Sequence, residues 1–103
     1  MSQKRETVFR KRVMAGLNSV PNSWWEPVSQ RSIRGTPDII GCVNGVFGGI
    51  ELKTSSGKLS ALQAHKIVKI REAGGIGVCL KPEELNSVMD FLHTLGGMHE
   101  TKN

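Results

Sequence analysis

Two carboxylates and a lysine interrupt an otherwise apolar part of the chain. Two short apolar runs flank Asn44-Gly45; Asp38 begins the first, and Glu51 and Lys53 end the second. Asn-Gly between two such runs predicts a β-hairpin, because both residues of the turn must adopt a positive φ. Counting outward from a two-residue turn places Asp38 directly opposite Glu51.

Side chains paired in this way predict a metal site. Opposed residues on antiparallel strands have Cβ atoms ~5 Å apart, and two carboxylates at that distance need a proton or a cation between them. Lys53 lies two residues after Glu51 and points to the same face. Mg²⁺ suits this arrangement, because it binds one or two carboxylates and keeps waters for a substrate phosphate.

A simpler interpretation of the hairpin stays open at this point. Its end could be exposed, with Asp38 capping a turn and Glu51 paired with Lys53 in solvent. A bulge at Gly48-Gly49 would also change the register and separate the two carboxylates. Spacing alone does not distinguish this interpretation from a metal site.

Glu6 is a carboxylate on the apolar side of the first predicted helix, residues 3–18. It falls on the stripe that Phe9, Val13 and Leu17 form at a spacing of about four residues. A carboxylate on an inward face is seldom tolerated without a partner, which makes Glu6 a candidate site residue. The alternative is that the first turn frays into solvent.

Gln63 has a similar position on the second predicted helix, close in angle to Ile67 and Ile70. It is a candidate for the same site. The alternative role is specific: Ser60 and Gln63 have the spacing of a capping box, in which the glutamine reaches back to the backbone of Ser60.

Periodicity, turn residues and capping residues give the elements that would position these side chains. We predict a helix at 3–18 capped by Ser2, a strand at 24–28, a loop at 29–36, hairpin strands at 38–43 and 46–53, a helix at 61–73, a strand at 76–81, and a last helix that opens at Pro82 and stops at Gly96-Gly97. This order predicts a single α/β domain with a mixed sheet at residues 1–96, followed by a flexible tail at 97–103.

The charge of the chain favours a polyanionic partner. The formal net charge is +5, and half of the 14 basic residues lie within the first 34 positions. Such a surface favours nucleic acid, because each neutralised phosphate releases counterions, although a solvated face without a partner has the same composition. The candidates for DNA contacts are Arg10, Lys11, Arg34 and Lys58.

The remaining features point to a cytoplasmic protein. No apolar run approaches the ~20 residues of a membrane span, so no membrane partner is expected. The N-terminus has no apolar stretch behind its charges and does not have the pattern of a signal peptide. Cys42 and Cys79 lie in apolar runs, and we predict two buried free thiols; a disulfide is the alternative.

The order and spacing of these residues resemble the PD-(D/E)xK nuclease superfamily. The residues that carry the resemblance are Gly35-Thr36-Pro37-Asp38, then Gly49-Ile50-Glu51-Leu52-Lys53, and Gln63 in the following helix. Within that superfamily, Arg34 to Asp38, Ile50 to Lys53 and the Ser-Gly-Lys-Leu-Ser turn at 56–60 resemble the virus-type replication-repair nuclease (VRR-NUC) domain. The resemblance extends from Glu6 to Leu85 and implies a restriction-endonuclease-like αβββαβ(α) core.

The resemblance also implies a role for each matching residue. Asp38, Glu51 and the backbone carbonyl of Leu52 would hold Mg²⁺, for which Mn²⁺ could substitute. Lys53 would orient or activate the attacking water, Gln63 would support the site, and Glu6 matches a glutamate of the family's N-terminal helix.

The implied activity is that of a small phage-type DNA endonuclease. Members of this size act as homodimers on branched DNA such as Holliday junctions, and the glycine-rich hairpin and Trp24-Trp25 are candidate contact surfaces. Two alternatives stay open. The first is a nuclease that acts on linear or flapped DNA, and the second is a non-catalytic DNA-binding module.

Overall fold

The computed structural model describes residues 3–29 and 33–98, and for residues 3–5 it describes the backbone alone. The elements are α1 (Gln3–Asn18), β1 (Ser23–Pro27), β2 (Ile39–Val43), β3 (Val46–Leu52), α2 (Ala61–Glu72), β4 (Ile76–Leu80), a 3-10 turn (Pro82–Glu84) and α3 (Leu85–Gly97). The predicted α/β class and the αβββαβ(α) order with a mixed sheet are confirmed.

The last helix starts differently from the prediction. Pro82 opens a 3-10 turn, and α3 begins only at Leu85. The Glu84 side chain accepts a hydrogen bond from the Lys81 N–H at 3.1 Å, and the Glu84 N–H donates to the Lys81 carbonyl at 2.9 Å. These local bonds close the tighter turn that often precedes an α-helix.

The sheet has the strand order β1-β2-β3-β4, with antiparallel pairing up to β3 and parallel pairing between β3 and β4. The hairpin has the predicted register, in which Val43 pairs with Val46. Pairing continues without a bulge through Gly48 and Gly49 and ends at Ile39 opposite Ile50. Asp38 and Glu51 are the next residues on the two segments, one position beyond this last pair.

Helices cover both faces of the sheet. The core packs α1 and α3 against one face, and its fully buried side chains include Val13, Leu17, Ile39, Val43, Ile50, Leu80 and Leu92. The other face carries α2, which packs on β3 and β4. A Cβ on Gly49 would lie 2.9 Å from Ile70 Cδ1, and a Cβ on Gly77 would lie 3.1 Å from Ile67 Cγ2, so these glycines allow α2 to approach the sheet closely.

The Trp25 side chain occupies the space that a side chain would need at two of the hairpin glycines. Its side chain is 4% exposed and lies over Gly41 and Gly48, where a Cβ on Gly48 would come within 2.7 Å of the ring. Gly41, Gly48 and Gly49 are buried within this chain. These three glycines accommodate Trp25 and α2, whereas Gly45 at the turn is exposed, and a partner contact through the hairpin stays a prediction.

The prediction for the cysteines is half right. Both are free thiols, as expected, but Cys42 is exposed and Cys79 is only partly buried. Cys42 lies on the same sheet face as α2. Because α2 packs on β3 and β4, the Cys42 side chain on β2 remains exposed.

Some predictions fall on residues outside the described ranges. They are the cap at Ser2 and most of the tail predicted at 97–103, of which Gly97 belongs to α3 and Met98 is the last described residue. Within the described ranges, none of the helices combines the length and the apolar character needed to cross a bilayer.

Candidate active site

A cleft of about 500 Å³ lies at the end of the sheet where β3 finishes and α2 begins. Its lining comes from the first half of α1, the residue before β2, the end of β3, the following loop and the first turn of α2. The lining residues are Glu6, Phe9, Arg10, Asp38, Glu51, Leu52, Lys53, Thr54, Gly57, Lys58 and Gln63. The fold therefore brings all five predicted catalytic residues to one cavity.

Asp38 and Glu51 are buried, with 6% and 3% of their surface exposed. The Asp38 Oδ2 atom accepts a hydrogen bond of 2.8 Å from the Leu52 N–H, which ties the residue before β2 to the end of β3. The interpretation of an exposed hairpin end is therefore wrong. Burying two carboxylates costs free energy unless hydrogen bonds or cations compensate for the lost hydration. Such costly buried charges are found more often at functional sites than elsewhere.

Gln63 has both of the roles that its sequence position suggested. Its N–H donates to Ser60 Oγ at 3.1 Å and its Oε1 accepts from the Ser60 N–H at 2.9 Å, which completes the capping box. Its Nε2 donates to Glu51 Oε2 at 2.9 Å. Because the cap occupies the carbonyl oxygen of the amide, the NH₂ group must face Glu51. The first turn of α2 thus orients one of the two buried carboxylates.

These two roles can be separated by a pair of variants. Ser60→Ala removes the cap bond that the serine hydroxyl accepts and should lower the free energy of unfolding by about 1 kcal/mol. Gln63→Ala leaves that bond in place, because its donor is a backbone N–H. It removes the other cap bond together with the hydrogen bond to the buried Glu51 carboxylate, and we expect a larger loss of about 2–3 kcal/mol. Urea denaturation measures both. Equal losses for the two variants would show that the bond from Gln63 to Glu51 adds nothing to stability.

The oxygen atoms of this cleft fit Mg²⁺. Since the N–H and C=O groups of a strand residue point to the same edge, the Leu52 carbonyl points with its N–H toward Asp38. The donor set is therefore two carboxylates and one carbonyl oxygen, which suits a hard cation that retains water ligands. Among residues 3–29 and 33–98, no group of three or more His, Cys, Asp or Glu side chains is placed to hold a metal ion.

Cys79 is the neighbour of Glu51 across the parallel ladder. Burial raises the pKa of its thiol, and the charges of Glu84 and Glu51 act in the same direction, against Lys81 and Lys53. The thiol therefore stays protonated near neutral pH and is not prepared as a nucleophile.

Lys53 and Glu6 line the cleft from opposite sides. Lys53 is partly buried, and its N–H donates to the Leu80 carbonyl at 3.0 Å, so β4 fixes the backbone that carries this amine. Glu6 lies within α1 with an exposed side chain, so the first turn is helical at this position. Glu6 reaches the cleft from solvent and is not part of the buried core.

The four candidate DNA-binding residues divide into two pairs. Arg10 and Lys58 line the cleft, whereas Lys11 and Arg34 are exposed outside its lining. The loop that carries Lys58 is tied to the 3-10 turn by Ser55, whose hydroxyl donates to Glu83 Oε1 at 2.8 Å. A backbone N–H bond and this hydroxyl lower the pKa of Glu83, so the tie persists at neutral pH.

Sequence reasoning missed three residues of the cleft lining: Phe9, Thr54 and Gly57. Thr54 follows Lys53 directly and accepts a turn hydrogen bond from the Gly57 N–H at 3.0 Å. The available signals were a hydroxyl residue directly after Glu51-Leu52-Lys53 and the Thr-Ser-Ser-Gly turn. Phe9 carried no such signal, because its position on the apolar stripe of α1 is also that of a core residue.

Comparisons with protein-family models, with curated proteins and with solved structures find no match to this chain. The residues of the cleft and their geometry therefore have to indicate the function. They are the buried pair Asp38 and Glu51, the nearby Lys53, and the basic lining residues Arg10 and Lys58.

Proposed function

We propose that this protein is a metal-dependent DNA endonuclease that hydrolyses phosphodiester bonds in the cleft. The observation that carries the proposal is the burial of Asp38 and Glu51 next to each other in a cavity that Arg10, Lys53 and Lys58 also line. A protein with a net charge of +5 that needed only to bind DNA would gain nothing from two buried carboxylates next to the phosphate. A hydrolase that binds a divalent cation at this position would use the two carboxylates as ligands.

The residues divide the chemistry of hydrolysis among them. Asp38, Glu51 and the Leu52 carbonyl would hold Mg²⁺ or Mn²⁺, which supplies Lewis acidity and lowers the pKa of a bound water. The Lys53 amine donates to the phosphate or to the attacking water and offsets the negative charge that develops on the phosphate. Gln63 keeps Glu51 in position, and Arg10 and Lys58 neutralise the flanking phosphates.

We further propose branched DNA, such as a Holliday junction, as the substrate and a homodimer as the active form. The support is the resemblance of Arg34 to Asp38, Ile50 to Lys53 and the 56–60 turn to the VRR-NUC domain. Each chain has one acidic pair and can cut one strand at a time. A two-fold dimer would supply two sites in a fixed relation for paired cuts. The protein would act in the compartment that holds its DNA substrate, which is the cytoplasm of the host cell if a phage encodes the protein.

The test is cleavage of end-labelled substrates by the full-length chain with Mg²⁺ and with EDTA. A four-way junction, a flapped duplex, a blunt duplex and a single strand of the same sequence are compared. We expect Mg²⁺-dependent cleavage that is fastest on the junction. Preferred cleavage of the flap or the linear duplex would change the substrate, and binding without cleavage in any metal would leave only a DNA-binding module.

The salt dependence of DNA affinity tests the basic residues. Replacing Arg10, Lys11 and Arg34 together with alanine should flatten the plot of log affinity against log salt by ~0.9 for each phosphate that the variant no longer neutralises. The matched control is Arg12→Ala, an exposed arginine of α1 that is not among the predicted DNA contacts and should leave the slope unchanged. An unaltered slope in the triple variant would place these side chains away from the DNA.

The oligomeric state is a separate prediction. We expect light scattering at micromolar concentration to give twice the mass of the 103-residue chain, and a four-way junction to be cut on two opposite strands. A monomer that nicks only one strand would contradict the paired-cut mechanism and would leave the endonuclease activity itself intact.

A further inference from the structure

An exposed row of side chains crosses three strands on the α2 side of the sheet. The register pairs Trp24 with Cys42 and Cys42 with Phe47, so the three lie side by side, and we call them the aromatic row. Trp24 is 56% exposed and Phe47 46% exposed. The row is open because α2 packs on β3 and β4 and leaves the β1 and β2 half of this face uncovered.

The aromatic row lies on the same sheet face as the acidic pair. Phe47 and Glu51 are four residues apart on β3, and Cys42 and Asp38 are four residues apart along β2 and the residue before it. With a rise of ~3.3 Å per residue, the row runs parallel to the acidic pair at a distance of ~13 Å. Pro37 and Ile70 pack on Gly49 between the acidic pair and the row, so a DNA strand that leaves the cleft on this side of the sheet passes over Pro37 before it reaches the row.

The side of α2 that borders this open face is basic. A Cβ on Gly35 would lie 2.9 Å from Leu62 Cγ and 3.2 Å from Lys66 Cδ, so this side of the helix faces the loop that leads into β2. Lys69, three residues after Lys66, continues the same stripe. It makes an exposed pair with Glu72 at 3.3 Å, which leaves its other N–H donors available. Glu26, on β1, is an acidic residue of the same face and lies at the far edge.

We propose that the aromatic row is a stacking platform for unpaired nucleotides of the DNA whose scissile phosphate occupies the cleft. The inference rests on the proposed function, which supplies the occupant. Trp24 and Phe47 present flat faces on which bases stack. Lys66 and Lys69, on α2, bind the phosphates of the same strand. Glu26 repels those phosphates from the β1 edge of the sheet. A surface of this kind distinguishes branched or splayed DNA from a continuous duplex, because paired bases present no free face.

The exposed area argues against a protein partner at this surface. An aromatic side chain contributes ~200 Å² when it is fully buried, so two half-exposed rings offer ~200 Å² together. A stable interface needs ~800 Å² from each partner, about four times as much. Stacking of one or two bases requires no more than the rings themselves.

The experiment measures DNA binding by the full-length protein in EDTA, so that no cleavage occurs. Fluorescence anisotropy is recorded with a labelled oligo-deoxythymidine, a splayed duplex and a blunt duplex. Trp24→Ala combined with Phe47→Ala should weaken binding of the single strand and of the splayed duplex by about tenfold or more, and binding of the blunt duplex by less than about twofold. The matched control is Phe91→Ala, because Phe91 is 55% exposed on α3, which packs on the other face of the sheet.

A second measurement uses the unmodified protein. Trp24 is exposed and Trp25 is buried in the core, so stacking on Trp24 should quench the long-wavelength part of the tryptophan emission when oligo-deoxythymidine is added. Phe47→Ala should reduce the affinity of that titration without removing the signal. Unchanged affinity in the double variant, or no quenching at saturation, would overturn the inference.

Two other outcomes are informative. If the double variant converts a dimer to a monomer in light scattering and binds single strands as before, the row is a subunit interface and the inference is wrong. If the row binds single strands as expected but the wild-type protein cuts no substrate in Mg²⁺ or Mn²⁺, the row remains a single-strand stacking platform, while the proposed endonuclease activity fails and with it the placement of a scissile phosphate in the cleft.

Discussion

Asp38→Asn and Glu51→Gln are each expected to lower the rate of DNA cleavage by about 10³-fold or more. Each change removes one of the two buried carboxylates that we propose as ligands of Mg²⁺, and a bound metal is worth several kcal/mol of transition-state stabilisation. Both replacements preserve shape. In Asp38→Asn the new amide oxygen can still accept the hydrogen bond from the Leu52 N–H, so a lower rate cannot be ascribed to a broken bond at that position.

The same two variants should fold and bind DNA at least as well as the wild type. Removing one of two adjacent buried carboxylates relieves like-charge repulsion and reduces the negative charge next to the phosphate. Thermal melting without metal and anisotropy in EDTA measure these effects. Asp90→Asn is the matched control, an exposed carboxylate on α3 whose removal should change neither activity nor stability. Wild-type rates in either cleft variant would refute the site.

Lys53→Met should reduce the cleavage rate by about 10²-fold or more, while metal affinity stays within about tenfold of the wild type. A charged amine can donate hydrogen bonds but cannot ligate a metal, so its removal affects the transition state and not the binding of the ion. Methionine keeps an unbranched apolar chain against the wall of the cleft. Rates at saturating DNA and calorimetric titration with Mn²⁺ separate the two quantities.

Lys58→Met is the matched control for Lys53→Met. Lys58 is a second lysine of the same cleft, placed on the loop after β3 and exposed. Because Lys58 is expected to bind a phosphate, its replacement should weaken DNA binding and the salt dependence of that binding, with little change in the rate at saturation. If the two lysines have the same effect on rate and on affinity, Lys53 is one more phosphate-binding residue and has no special role in the reaction.

The sequence by itself determined the hairpin and the residues of the acidic pair. Asn44 and Gly45 adopt φ values of 49° and 81°, and a two-residue turn leaves one register for the strands that follow it. The order of helices and strands was also predictable, with boundaries within one or two residues apart from the start of α3. These features depend on neighbours in the chain, which is why local patterns were sufficient.

Only the tertiary structure decided whether the acidic pair is exposed or buried. The answer depends on α1 and α2, which lie ten or more residues away on either side and close the cleft around Asp38 and Glu51. The double role of Gln63 was undecidable for the same reason, because its cap is local and its bond to Glu51 joins a helix to a strand.

The opposite orientations of two adjacent tryptophans were likewise decided by the fold. Consecutive strand residues point to opposite faces, which is a local rule, but which face is covered depends on where the helices pack. Trp25 meets α1 and two glycines, whereas Trp24 faces the half of the sheet that α2 leaves open. Local sequence determines the alternation of side chains along a strand, and the packing of distant elements determines which of them remain available to a ligand.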